Sequence, residues 1–201
     1  MNLTIRKRVT KSPDVRRKEL MDAAVRVFTD KGISKTTVSD ITDTAGVAKG
    51  TFYLYFDSKD QLLGALKERL IDEILAHATQ QYQRVGQEDW WALVDSVIES
   101  FVDFMLERRD MVHVLMQEGL SPETDQIFRE CEERVDAMFA SGIQAGIEAG
   151  AFHSTDPEIM ARFFHHAIDG YLIHEVLYGE DIDRERFLKG AKELVRKALA
   201  P

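Results

Sequence analysis

From Leu20 to Ala198 the apolar residues of this chain recur every three or four positions, and no stretch shows sustained apolar–polar alternation. That spacing draws one apolar stripe along an α-helix. It cannot line one face of a strand, where side chains alternate with a period of two. Asn-Gly, the strongest short hairpin signal, is absent. The pattern therefore predicts an all-α chain.

Stop and start signals divide the pattern into about nine helices. Ser12-Pro13 places a capping hydroxyl before a proline at the first helical position, and Gly32 is placed to end that helix as a left-handed cap. Short helices follow at about 38–45 and 49–55, separated by Gly46-Val47. Ser58-Lys-Asp-Gln61 reads as a capping box opening a fourth helix to about residue 83. Further helices are expected at about 90–108, 111–118, 121–150, 157–178 and 183–200. The first three form a small module at residues 1–60, and residues 61–201 form a larger helical domain.

Charge separates along the same line. The chain carries a net −9, yet residues 1–59 hold twelve Lys and Arg against seven Asp and Glu. Residues 60–201 hold fourteen against twenty-eight. A basic head on an acidic body points either to a polyanion partner at one end or to a basic tail that merely aids solubility, and charge alone does not choose between them. No segment approaches the roughly 18 apolar residues of a membrane span, and the polar, basic start has no signal-peptide core. The lone Cys131 excludes an internal disulfide and reads as a small buried residue. A cytoplasmic protein without cofactor is expected.

The segment from Thr36 to Leu63 carries the functional signal. Ile41 and Ala45 face inward, Ala45-Gly46-Val47 makes a tight turn with Val47 beneath it, and Phe52 and Phe56 form the buried face of the second short helix. Lys49, Gly50, Thr51, Tyr53 and Tyr55 are left pointing outward. Small residues at that helix start let the backbone approach a duplex, while the lysine and tyrosines offer donors to phosphates and base edges. A rigid support helix, a tight turn and an exposed second helix make a helix-turn-helix.

These residues resemble the TetR family of bacterial one-component regulators. The likeness lies in Ala23-Ala-Val-x-Val-Phe28, Gly32, Thr37-Val38, Ile41, Ala45-Gly46-Val47, Gly50-Thr51-Phe52-Tyr53-x-Tyr55-Phe56 and Lys59-x-x-Leu62-Leu63. It covers about residues 14–65. The resemblance implies that Thr37 caps the support helix and touches phosphate, and that Ser39 meets backbone or a base edge. Lys49, Gly50 and Thr51 would face bases, Tyr53 and Tyr55 phosphates and sugars, and Lys59 a phosphate. It further implies a homodimer on a near-palindromic, double-stranded DNA operator, and a small-molecule effector held in the C-terminal body.

An apolar effector site is sought among Trp90, Trp91, Val97, Phe101, Met105, Met116, Met138, Phe139 and Phe164, which suit a hydrophobic or amphipathic molecule. A ligand among the fourth, fifth and seventh helices would push the fourth, which starts at Lys59 and carries Leu70 and Ile74 inward. For the dimer seam, Phe163, Ala167, Gly170, Tyr171 and His174 recur on the eighth helix, with Ile159 before them. Phe187, Ala191, Leu194 and Ala198 recur on the ninth. The alternative is an all-helical ligand- or metal-binding protein without operator binding. It would rest on His165-His166, Asp169 and His174. However, HExxH, ExxH and paired cysteines are all missing, and neighbouring helical residues point about 100° apart. No metal site is therefore expected.

Overall fold

The computed structural model describes residues 12–86, 88–116, 121–178 and 181–200. The basic arm at residues 1–11, and residues 117–118 at the expected end of the sixth helix, lie outside them. Among the described residues there is no strand, and nine helices follow in order. They are α1 Pro13–Lys31, α2 Val38–Ala45, α3 Lys49–Phe52, α4 Lys59–Val85, α5 Trp90–Glu107, α6 Arg109–Leu115, α7 Pro122–Glu148, α8 Pro157–Tyr178 and α9 Arg184–Leu199. The chain forms two compact units that part between Leu62 and Leu63, inside α4.

The first unit is built on its caps. Ser12 Oγ accepts from the Val15 amide, which starts α1. Gly32 ends α1 with φ 78° but ψ 155°, so glycine is required there for its positive φ while the chain leaves extended rather than left-handed. Thr37 and Asp40 form a reciprocal box at the start of α2. The Asp40 amide donates to Thr37 Oγ1 at 3.2 Å and the Thr37 amide to Asp40 Oδ2 at 2.8 Å. Gly46 takes the left-handed conformation (φ 67°, ψ 37°) that reverses the chain into α3. α3 ends at Phe52, three residues before the expected Tyr55, because the backbone tightens. The Leu54 and Tyr55 amides donate three residues back, to Thr51 and Phe52. Leu20, Ala23, Ala24, Phe28, Ile41, Phe52, Phe56 and Leu62 are buried and make the core of this unit, whereas Ala45 and Val47 are half-buried. Ser58 Oγ accepts from the Gln61 amide, but Gln61 reaches back to the amide of Asp57, one residue earlier than in a standard box.

In the second unit α8 packs on α7 and α6, and α9 on α5. Three ion pairs run along the α5–α9 seam: Asp95–Arg196 (2.6 Å), Glu99–Lys192 and Asp103–Arg184 (2.5 Å). The three acids are four residues apart, so one face of α5 presents them in a row. Cys131 is buried, and burial raises its thiol pKa. At the end of α7, Gly150 (φ 74°) turns the chain back, and the amides of Ala151 and Phe152 both donate to the Gly146 carbonyl. Phe152 then lies directly over Gly146 and packs against Trp90 and Trp91. The His153 amide ties this turn to the Leu199 carbonyl at the end of α9. No helix of the described residues is long and apolar enough to cross a membrane.

Candidate functional site

In the first unit, α2 and α3 present one polar surface. Thr37, Lys49, Gly50 and Tyr53 are exposed, while Ser39, Thr51, Tyr55 and Lys59 are half-buried. No atom stands within 4 Å of where a Cβ on Gly50 would lie. Packing within the chain therefore does not require glycine there. Tyr53 stands edge-on to the buried Phe52 at 5.4 Å, which holds its ring outward. Leu54, 78% exposed beside it, is a surface residue that the sequence reading missed, because an outward leucine has no periodic partner.

Lys59 is engaged within the fold. Its Nζ donates to the carbonyls of Ile33 (2.9 Å) and Thr36 (2.5 Å), closing the turn between α1 and α2. Two of its three donors are thus directed into the fold, and the sequence reading assigned it only a phosphate. Asp40 accepts from Lys31 Nζ at 2.6 Å and from Thr37, and these bonds hold its carboxyl well below the ordinary carboxylate range.

The second unit contains an apolar cavity of about 410 Å³. α4 contributes Ala78, Thr79 and Tyr82, and α5 contributes Trp90, Leu93, Val94, Val97, Ile98 and Phe101. α7, α8 and α9 supply the rest, including Met138, Phe139, Ile143, Phe164, Ile168, Val195 and Leu199. Polar atoms enter from Thr79, Tyr82, Ser141 and His165. Of the seven principal sequence candidates, Trp90, Val97, Phe101, Met138 and Phe164 line it. Met105 and Met116 do not: Met105 is buried one turn beyond Phe101, past the end of the cavity, and Met116 caps α6, which sends no side chain to the wall. Trp91 instead meets Phe152 with the rings tilted by 60° and lies under the Arg196 guanidinium. Phe152 lines the cavity but follows a helix-ending glycine, where no periodicity marks it.

The histidine pair departs from expectation. The His165 and His166 rings stack at 4.9 Å and 21°, because their side-chain torsions undo the divergence of their Cα–Cβ bonds. His165 is buried, with Nδ1 2.7 Å from Asp136 Oδ1 and Nε2 3.7 Å from Glu132 Oε2. Two groups place one donor atom from each residue within 4.8 Å of the others: Asp136, His165 and His166, and Glu132, His165 and Asp169. Burial raises the Asp169 carboxyl pKa, against a smaller opposing pull from His165. Asp169 joins His165 rather than His166.

One face of α8 stays largely exposed. Phe163 (64%), Tyr171 (46%) and Tyr178 (71%) are exposed, together with Ala167, Gly170 and His174. Tyr171 stacks on the half-buried Phe187 of α9 at 4.8 Å, and Leu194 is exposed on α9. Ala191 corrects the expected seam. It is buried with Leu188, Val195 and Leu199 on the face of α9 that packs inward, so it serves the core of its own chain.

Comparison with known proteins places these features in company. Residues 20–66 match the family model "Bacterial regulatory proteins, tetR family", and residues 87–171 match "Tetracyclin repressor-like, C-terminal domain". The chain is 38% identical over 104 residues to the transcriptional regulator YvdT of Bacillus subtilis, a match that spans 51% of this chain and 52% of that protein. It is 25% identical over 154 residues to the transcriptional repressor KstR2 of Rhodococcus jostii, 74% of each chain. In fold it is similar to the fatty acid degradation regulator FadR of Bacillus halodurans, with TM-score 0.74 and 22% identity over 92% of this chain and 96% of that one.

Proposed function

This chain belongs to the TetR family of transcriptional regulators, DNA-binding proteins and not enzymes, and from that premise we propose that it is an effector-released repressor acting as a cytoplasmic homodimer. Lys49, Gly50 and Thr51 read bases in the major groove. Tyr53, Tyr55, Thr37 and Ser39 hold the backbone, and Lys59 adds its remaining donor to a phosphate. The observation that carries this reading is the outward set of Lys49, Gly50 and Tyr53 on a helix whose other side, Phe52, is fully buried.

The exposed α8 face, with Phe163, Ala167, Gly170, Tyr171 and His174, supports a twofold seam joined by Phe187 and Leu194 of α9. Gly170 has no atom within 4 Å of a built Cβ, so a second helix can approach closely there. Two heads about 34–36 Å apart would read successive half-sites. The effector is a hydrophobic or amphipathic small molecule in the 410 Å³ cavity. Ala78, Thr79 and Tyr82 of the cavity wall lie on α4, the helix that Lys59 begins. Occupancy would act on DNA through that helix, with a coupling of about 1–3 kcal/mol.

Selection of bound sequences from random duplex DNA tests the reading. The expected product is a pair of inverted half-sites one helical turn apart. Lys49→Ala should change the preferred bases, with the chain still dimeric by light scattering. Recovery of no consensus, or of one unchanged by Lys49→Ala, would refute it.

A further inference from the structure

Beside the cavity, α7 and α8 bring together a set of donors that the regulatory reading does not use. His165 is 4% exposed. Its Nδ1 lies 2.7 Å from Asp136 Oδ1, and a carboxylate only accepts, so Nδ1 carries the proton. Nε2 is the ring nitrogen left over to meet a ligand. It faces not a donor but Glu132 Oε2, 3.7 Å away and beyond hydrogen-bonding range. Glu132 is itself committed on one side only: its Oε1 is paired with the buried Lys67 ammonium, which leaves Oε2 toward the histidine. The carboxylate of Asp169, one turn beyond His165 on α8, completes a group whose donor atoms lie within 4.8 Å of one another. One imidazole nitrogen and two carboxyl groups from two packed helices thus converge on one point, with the Lys67 ammonium on the far oxygen of Glu132.

We propose that Glu132, His165 and Asp169 bind a first-row divalent metal ion such as Zn²⁺, with Asp136 as the group that orients His165. One imidazole nitrogen and two carboxylate oxygens suit such an ion better than Mg²⁺ or Ca²⁺, which take oxygen ligands almost alone. A metal-bound histidine characteristically donates its other N–H to a carboxylate, which fixes the tautomer and the ring plane. Asp136 does this here, and Arg162 holds its second oxygen at 3.3 Å. With metal bonds of about 2.0–2.2 Å, two ligands of one ion stand roughly 3–3.5 Å apart. The 3.7 Å between Nε2 and Oε2 therefore needs to close by only a few tenths of an ångström. His165 also lines the cavity, so the ion would sit next to it. The site stands on its own geometry and holds whatever the cavity binds and whichever operator is read.

The test uses the full-length, tag-free chain, stripped with a chelator and titrated with Co²⁺, followed by its visible ligand-field bands, and with Zn²⁺ by calorimetry. The expected result is one ion per chain. Asp169→Asn and Glu132→Gln keep size and shape, and each should weaken binding at least tenfold. Asp136→Asn should weaken it about 10–100-fold as a positioning residue. Urea unfolding of each metal-free variant confirms that it is folded before titration. Absence of saturable uptake by the folded wild-type chain would overturn the proposal. So would unchanged affinity in Asp169→Asn with binding lost in His166→Ala, which would move the ion to Asp136, His165 and His166.

Discussion

Gly146→Ala should destabilise the second unit, although alanine is the better helix former. Gly146 lies in α7, where replacing glycine by alanine ordinarily stabilises by about 0.8–1 kcal/mol. Here a Cβ would stand 2.1 and 2.2 Å from Cδ2 and Cε2 of Phe152, against an ordinary contact distance of about 3.5–4.0 Å. The ring would have to retreat by more than an ångström. It is 5% exposed and enclosed by Trp91 at 4.9 Å and Trp90 at 5.8 Å. Its backbone is held as well, because the Ala151 and Phe152 amides both bond to the Gly146 carbonyl. Overpacking of such a site costs about 1–3 kcal/mol, and expulsion of the phenylalanine would cost more. Set against the helix gain, the net expectation is a loss of up to about 2 kcal/mol, or up to roughly 1 M in the urea midpoint. Tryptophan fluorescence reads this directly, since both tryptophans of the chain border Phe152. Gly190→Ala in α9 is the control. Nothing stands within 4 Å of its Cβ, so it should gain up to about 1 kcal/mol. A Gly146→Ala midpoint equal to or above that of the wild type, with Gly190→Ala raised, would refute the reasoning.

Lys59→Met should lower the stability of the first unit by about 1 kcal/mol through loss of its bonds to Ile33 and Thr36, as well as flatten the salt dependence of DNA binding. An unchanged thermal midpoint would remove its structural task. The folded Asp40 carboxyl titrates below its ordinary 3.8, so its contribution is complete above that value and is lost as pH falls toward the folded value. The stability gap between wild type and Asp40→Asn should therefore be wide at pH 6 and shrink by pH 3. A gap that stays constant across this range would contradict the assigned cause. Val97→Trp places an indole in the cavity and should weaken binding of an apolar fluorophore such as anilinonaphthalene sulfonate at least tenfold while unfolding remains cooperative. Undiminished binding would show that the fluorophore occupies another surface.

Local rules carried the sequence reading far. Helix starts at Ser12-Pro13 and Ser58, and the left-handed turn at Gly46, depend on groups three or four residues apart, so their chemistry is visible in the chain itself. The buried face of the first unit was legible for the same reason, since Ile41, Phe52 and Phe56 sit at helical spacing beside polar neighbours. Spacing did not decide which stripe of α8 turns inward. Phe164, His165, Ile168 and Leu172 and, rotated around the same helix, Phe163, Ala167 and Tyr171 are both periodic, and only packing on α7 buries the first set. Ala191 went astray in the same way, because α5 and its row of acids determine which face of α9 is covered. Phe152 entered the cavity wall because Gly150 folded the chain back over Gly146. His165 acquired Asp136 and Glu132 from about thirty residues away. Contacts between distant segments have no spacing to betray them, so the cavity wall and the convergence of Glu132, His165 and Asp169 were decided only when α7, α8 and α9 packed against one another.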